Sequence, residues 1–292
     1  TFTSTNNGAC ASDNDQITIT FTDAPTANAG IDQTVCANNA NVSLNGIVTV
    51  AGGGNWTTSG TGTFSPSSST LNAIYTPSSA DTAAGTVTLY LTTTLNGTCL
   101  AVVDSMVITI TDAPTVDAGP TVFRCANNPN GQVNGISSTG SGIWTSSGTG
   151  SFSPNNTVLN PTYIASNADT TAGSVLLTLT STVNGTCNPV TDTVSIIYTQ
   201  PPVVSAGIDL TVCGNQGLVA LSGTSSTGLG VWTTSGTGTF APNGLNGNYV
   251  PSSADTAAGT VTLTLTSTNN GGCLAVTDQL ILTITDAPIA LA

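Results

Sequence analysis

The chain has no lysine, no glutamate and no histidine, and Arg124 is its only basic side chain. Each absence closes a class of function. Nucleic acid is bound largely by neutralising phosphates with Lys and Arg, so a nucleic-acid partner is excluded. Attraction to an anionic membrane surface through basic segments is excluded on the same ground. Without His, Glu or Lys, general acid-base chemistry has only Asp to draw on and no Ser-His pair can be assembled, so the chain is not read as an enzyme and no catalytic residue is assigned. Lysine-dependent isopeptide crosslinks are likewise unavailable. Apolar runs of membrane-spanning length are missing, so no membrane insertion is expected in this segment.

What is present is sparse in charge but patterned. All 14 acidic residues are Asp, the net charge is -13, and charged residues make up 5% of the chain against 38% hydrophobic. The apolar residues alternate with Ser, Thr and Gly in regular order, which argues for a folded chain and against disorder.

The dominant feature is repetition. Trp56, Trp144 and Trp232 mark three copies of a unit of about 88 residues. Trp-Thr-Thr-Ser-Gly-Thr-Gly-Thr-Phe begins at Trp56 and again at Trp232, and Trp-Thr-Ser-Ser-Gly-Thr-Gly-Ser-Phe begins at Trp144. The junction text Asp-Ala-Pro at Asp23 and Asp112 returns at Asp286. The expected organisation is therefore repeats at 23–111, 112–199 and 200–285, with 1–22 as the C-terminal strands of a preceding repeat and 286–292 as the start of a following one. Serial duplication of so small a unit argues for spacing, reach or multivalency.

Seven cysteines fit the same frame. Each copy has one near its start and one near its end, giving the expected pairs Cys36 with Cys99, Cys125 with Cys187 and Cys213 with Cys273. Cys10 then belongs to the truncated unit, with an upstream partner. Closing a loop of roughly 60 residues would stabilise a unit by about 4 kcal/mol on the chain-entropy model. Isolated cysteines with no Cys-x-x-Cys and no His do not read as a metal site, so no metal ligands are assigned. Disulfides imply an oxidising, extracellular setting. With Cys36 ahead of the first inner strand and Cys99 near a hairpin tip, the bridge is expected to clamp one end of the domain.

Secondary structure reads as strands and turns. Gly85–Thr94 alternates strictly, with Val87, Leu89 and Leu91 facing inward, and returns at 173–182 and 259–268. A last strand follows at 102–111, 190–199 and 276–285, joined to the first by an Asn-Gly-containing hairpin that carries the second cysteine. About seven short strands and one Trp per unit predict an all-β fold of tandem antiparallel β-sandwiches of immunoglobulin-like type, with one disulfide per repeat. Ser78, Ser166 and Ser252, each followed three residues later by Asp81, Asp169 or Asp255 and then by a Gly, predict one short capped helix per copy. Those aspartates are read as structural.

The run Ala27–Cys36, then Val42–Gly46, Trp56, Tyr75 and Ala80–Leu89, resembles the PKD-like and immunoglobulin-like tandem repeats of giant Bacteroidota cell-surface proteins. That group includes gliding-motility adhesins of the SprB type and other cargo of the type IX secretion system. The resemblance spans the whole chain, although the Gly-Asp-Gly element of many PKD domains is missing. It implies a cell-surface or extracellular location.

Two kinds of site remain as expectations. Asp81-Thr82-Ala83, Asp169-Thr170-Thr171, Asp255-Thr256-Ala257, Asp104-Ser105-Met106 and Asp192-Thr193-Val194 resemble the Bacteroidota O-glycosylation signal, which makes Thr82, Thr170, Thr256, Ser105 and Thr193 candidate acceptors. The competing reading is that the Asp caps a turn. Calcium at the repeat junctions would use Asp23, Asp112 and Asp286 with Asp32 and Asp209, but 199–202 lacks Asp and no Asp-x-Asp-x-Asp cluster exists, so solvated linker aspartates are the simpler reading. The expected function is a stalk or filament segment of a large secreted adhesin, with further repeats of the same chain as neighbours and lateral self-association into a filament as a further prospect. The alternative is a multivalent module binding glycan, such as a surface polysaccharide, by avidity.

Overall fold

The structure is a computed structural model that describes residues 1–288. The chain divides into two compact units, 1–113 together with 184–188, and 114–183 together with 189–292. The same strand set occurs once in the first unit and twice in the second.

In the first unit a four-stranded sheet runs in the order Gln33–Cys36, Val103–Thr111, Thr86–Thr94, Gly53–Thr58. Facing it are a three-stranded sheet of Val42–Ser43, Ile74–Thr76 and Thr63–Ser65, and the pair Thr26–Asn28 with Ile47–Thr49. In the second unit the four-stranded sheet returns with Val122–Cys125, Thr191–Thr199, Ser174–Ser181 and Gly142–Ser146, and again with Leu210–Cys213, Thr277–Thr285, Thr260–Ser267 and Gly230–Thr234. This all-β, two-layer arrangement with Trp on the inner face is immunoglobulin-like. One pairing departs from the all-antiparallel expectation: Gln33–Cys36 lies parallel to the last strand, with Cys36 opposite Thr111, and the other two copies repeat this with Cys125 opposite Thr199 and Cys213 opposite Thr285.

Alternation builds the core as expected. Val87, Leu89 and Leu91 on one strand and Met106, Ile108 and Ile110 on its neighbour point inward against Trp56 and Tyr75. Each indole is satisfied at its polar edge: Trp56, Trp144 and Trp232 donate through Nε1 to the carbonyls of Leu71, Leu159 and Leu245. A buried ring therefore carries no unmet donor.

Residues 1–22 form a single small ladder, Phe2–Thr3 with Asn14–Asp15. Ile17, Ile19 and Phe21, which match the buried Met106, Ile108 and Ile110 in sequence, are 80%, 68% and 90% exposed. Of the stretch 286–292, residues from 289 onward lie outside the described residues.

The short helices form as the capping pattern predicts. Ser79–Ala84, Asn167–Ala172 and Ser253–Ala258 each have a Ser N-cap, a complete capping box to Asp81, Asp169 or Asp255, and a left-handed Gly at the C-terminal end. The repeated Ser-Gly-Thr-Gly text acquires a reason here. A Cβ at Gly60, Gly148 or Gly236 would collide with the carboxylate of Asp81, Asp169 or Asp255, and one at Gly62, Gly150 or Gly238 with a Tyr75, Tyr163 or Tyr249 ring. Glycine is needed for this turn, which leads from the four-stranded to the three-stranded sheet, to pass over the Asp-Tyr pair. Gly148→Ala is expected to destabilise the protein by about 1–3 kcal/mol or more, the usual cost of overpacking, measured by urea denaturation. Exposed Gly185→Ala would be a control only for side-chain crowding, since its positive φ strains any other residue.

Candidate functional site

The cysteines form the most distinctive chemical feature, and their pairing differs from the sequence expectation. Cys36 is bonded to Cys187 and Cys125 to Cys273, with Cα atoms 4.9 Å apart in both. The expected pairs Cys36–Cys99, Cys125–Cys187 and Cys213–Cys273 do not form. Cys10, Cys99 and Cys213 carry free thiols. Each bridge joins the first cysteine of one repeat to the second cysteine of the next.

The strand directions explain the correction. Because the Gln33–Cys36 strand runs parallel to the last strand and ends opposite Thr111, Cys36 sits at the C-terminal end of its sandwich. Cys99 lies in the turn just before Val103, where the same last strand begins. That strand is nine residues long, so the two cysteines stand roughly 30 Å apart at about 3.3 Å per residue. A disulfide needs Cα atoms within about 7 Å. The first cysteine of one sandwich and the hairpin of the next instead meet at the junction: Cys36 and Cys187 both lie against the Asp112 carbonyl, at 3.7 and 3.6 Å.

Asparagines complete the joint. Asn38 donates to the Asn188 carbonyl at 2.9 Å and accepts from the Asn188 amide at 3.0 Å, and Asn188 donates back to the Asn38 carbonyl at 3.0 Å. Asn39 adds a bond to the Thr186 carbonyl. The second joint repeats the pattern: Asn127 donates to the Leu274 carbonyl at 3.1 Å and accepts from the Leu274 amide at 3.0 Å, while Asn128 reaches the Gly272 carbonyl. The bonds made by the Asn38 and Asn127 side chains hold main chain, so they form whether Asn188 or Leu274 follows the cysteine, while the bond from the Asn188 side chain to the Asn38 carbonyl belongs to the first joint alone. Cys36 and Cys125 are fully buried beneath the joint. Sequence reasoning missed these asparagines; the one available signal was an Asn two residues after the first cysteine in every copy, at Asn38, Asn127 and Asn215.

The remaining singled-out residues fall elsewhere. Asp81, Asp169 and Asp255 are buried under the helix caps. The Asp255 carboxylate accepts from Tyr249 Oη at 2.7 Å, the Ser252 amide at 2.9 Å and the Thr237 amide at 2.8 Å. Burial alone would raise this carboxyl, but the Ser252 amide, the Tyr249 hydroxyl and the Thr237 amide outweigh it and hold the pKa at about 2. Asp81 and Asp169 are lowered by the same balance of burial against donors. Of the junction aspartates considered for calcium, Asp32 accepts from the Val107 amide and Asp209 from the Ile281 amide, each at 2.8 Å. Among the described residues no group of three or more acidic, His or Cys side chains gathers to hold a metal. Thr82 and Thr256 are half-buried and donate to the carbonyls of Ser78 and Ser252, and Thr170 to that of Asn167, whereas Ser105 and Thr193 lie exposed on strands.

No protein-family model matches the chain, and no curated protein does. Among solved structures, the chain is similar to the titin I67–I69 fragment at 12% identity and a TM-score of 0.44, covering 90% of this chain and 99% of that one. It is similar to Sidekick-1 immunoglobulin domains 1–5 at 15% identity and 0.33, covering 90% of this chain and 59% of that one. A protocadherin gamma B2 fragment, extracellular cadherin domains 3–6, stands at 13% and 0.33, with 89% and 73% covered. Likenesses this distant carry no argument about function, and the architecture rests on the strand pairing described above.

Two outcomes are expected. Cleavage before each Asp places all seven cysteines in separate peptides, so unreduced digests should contain 32–80 joined to 169–191 and 117–168 joined to 255–277; recovery of 32–80 joined to 81–103 would mean that the bridges lie within repeats. Stability should also depend on acid. Because Asp255 ionises at about 2 when folded against 3.8 ordinarily, its contribution is complete above the ordinary value and is lost as pH falls through that interval, amounting to about 2 kcal/mol. Asp81 and Asp169 add in the same direction. Urea midpoints should be level near neutrality and drop below about pH 4, with a shallower drop in Asp255→Asn.

Proposed function

We propose that this chain is a load-bearing spacer segment of an extracellular repeat protein: a stalk or filament stretch, built of repeats 23–111, 112–199 and 200–285, that holds an adhesive region away from a cell surface. The observation that carries this reading is that the disulfides cross the junctions between repeats instead of stapling single domains. A bridge inside a domain stabilises that domain. A bridge across a junction makes neighbouring domains one covalent body, which serves length and tension. The two loops, with sequence separations of 151 and 148 residues, overlap between Cys125 and Cys187. On the chain-entropy model, closing the larger removes unfolded-state freedom worth about 5 kcal/mol.

The two disulfides also fit an oxidising, extracellular location, since such bridges persist outside the reducing cytosol. No helix among the described residues is long and apolar enough to cross a membrane. Exposed Ser105 and Thr193 are the acceptor positions best placed for a protective glycan coat.

Tension provides the test. With both bridges closed, the shortest covalent path from Asp23 to Asp286 runs forward to Cys36, across to Cys187, back to Cys125, across to Cys273 and on to Asp286. That path is about 88 residues, against about 263 once the bridges are reduced, or about 30 nm against about 95 nm at ~3.6 Å per residue. Single molecules tethered at positions 23 and 286 and pulled until fully unfolded should extend about one third as far when oxidised as when reduced. Equal extension in the two states would sink the load-bearing role.

A further inference from the structure

Three thiols remain free, and they fall into two classes that the closed joints define. Cys36 and Cys125 act as hooks: each ends a strand at the C-terminal end of a sandwich, is followed by a turn in which Asn39 or Asn128 donates its amide to the cysteine carbonyl, and presents an Asn two residues on. Cys187 and Cys273 act as sockets: each sits in a hairpin turn with its amide bonded to the carbonyl of Asn184 or Asn270, and offers the main chain of the next residue.

Cys213 has the strand end, the turn and the Asn two residues on that mark a hook, with Gln216 where Asn39 and Asn128 stand. Its strand ends opposite Thr285, the Gln216 amide donates to the Cys213 carbonyl at 2.9 Å, and Asn215 stands where Asn38 and Asn127 stand. Cys10 and Cys99 have the features of sockets. Their amides bond to the carbonyls of Asn7 and Asn96 at 3.0 and 3.1 Å, and the Cys99 sulfur lies against the Asp23 carbonyl as Cys187 lies against Asp112 and Cys273 against Gln200. The difference is cover. Cys36 and Cys125 are fully buried, whereas Cys213 and Asn215 are exposed, and Leu100, which follows Cys99, is 88% exposed.

From this we infer that Cys213 and Asn215 form an open hook, and Cys10 and Cys99 open sockets, for disulfide linkage to another repeat of this same kind, with hook joining socket and never like joining like. The two closed joints show these residues bonded in that way, so neither class rests on an isolated thiol. The interface is head-to-tail: the surface used by a hook differs from that of a socket, so linkage propagates in a line instead of closing a symmetric pair. The oxidant is a small disulfide such as oxidised glutathione. The Cys213 thiolate attacks it, forming a mixed disulfide and releasing one glutathione; the socket thiolate then attacks the Cys213 sulfur and releases the second. Two thiols are oxidised and one disulfide is reduced to two thiols. The inference deepens the spacer reading but rests on the joint itself, and its test reads bond identity, not extension.

The probe is a second copy of this chain. Concentrated protein is incubated in a glutathione redox buffer, separated without reduction, and the linked species are cleaved before Asp for mass analysis. Peptide 209–254 should appear joined to 81–103 or 1–12 at least tenfold more than the like pairs 209–254 with itself or 81–103 with itself. Asn215→Leu should remove that preference while leaving the Cys36–Cys187 and Cys125–Cys273 peptides intact, which reports that the variant folds. Cys213→Ser should abolish the linear series. Pairing at statistical frequency, or absence of linked species, overturns the proposal.

Discussion

The parallel pairing of a four-residue strand with the last strand of its own sandwich governs the arrangement. It carries the first cysteine of each repeat to the C-terminal end of the domain, while the hairpin carries the second to the N-terminal end. Once these are fixed, strand length alone decides what the thiols can do. Nine extended residues separate the two ends, far beyond the reach of a disulfide. The only cysteine that can approach Cys36 is on the neighbouring repeat. A local choice of strand direction thus becomes a rule for assembly.

The same economy appears in the interior. Each sandwich buries one carboxylate, and burying a charge is unfavourable unless donors surround it. Here the helix cap, a tyrosine hydroxyl and an amide of the turn between the two sheets supply them, with glycines letting that turn come close enough to do so. This cluster explains why the stretch after each Trp is repeated nearly letter for letter: one glycine and one amide must meet the aspartate, while a hydroxyl and a second glycine must meet the tyrosine that donates to it. In the second repeat Tyr198 takes the place of Ile110 and Ile284, and its buried hydroxyl has no partner. Burial pushes its pKa up to about 12, so it stays neutral.

Most of the fold was legible because its signals are local. Val87, Leu89 and Leu91 alternate, Ser78 and Asp81 are three apart, and a glycine follows the helix; periodicity and capping chemistry read directly from such spacings. The cysteine pairing was not legible. Framing by repeat suggested that two cysteines in one unit belong together, but sequence proximity says nothing about which end of a sandwich a residue occupies. That depends on a parallel contact between residues some 75 apart, a separation visible in the Thr111 to Val35 bond. Asn38 was silent for the same reason, since its partner, Asn188, is 150 residues away. The Asp-Thr signals were ambiguous because one carboxylate can both cap a helix and precede an acceptor hydroxyl, and in three of the five cases the cap is formed.

The composition that excludes so many functions also bears on why the joint is covalent. Tandem domains can be coupled at their junctions by ion pairs, by bound cations or by apolar contact. With Arg124 the one basic side chain in the whole chain, an ion pair repeated at each junction is unavailable; of the aspartates considered for a cation, Asp32 and Asp209 are committed to backbone amides, 199–202 has none, and among the described residues no group of three or more acidic side chains gathers to hold a metal. What remains is a disulfide reinforced by asparagine bonds to main chain, neither of which needs charge. In a repeat array, stability is the sum of intrinsic terms and nearest-neighbour coupling. Making the coupling term covalent lets each unit stay small and without ion pairs, while the middle repeat, if it opens, is still tied to both of its neighbours by the two bridges.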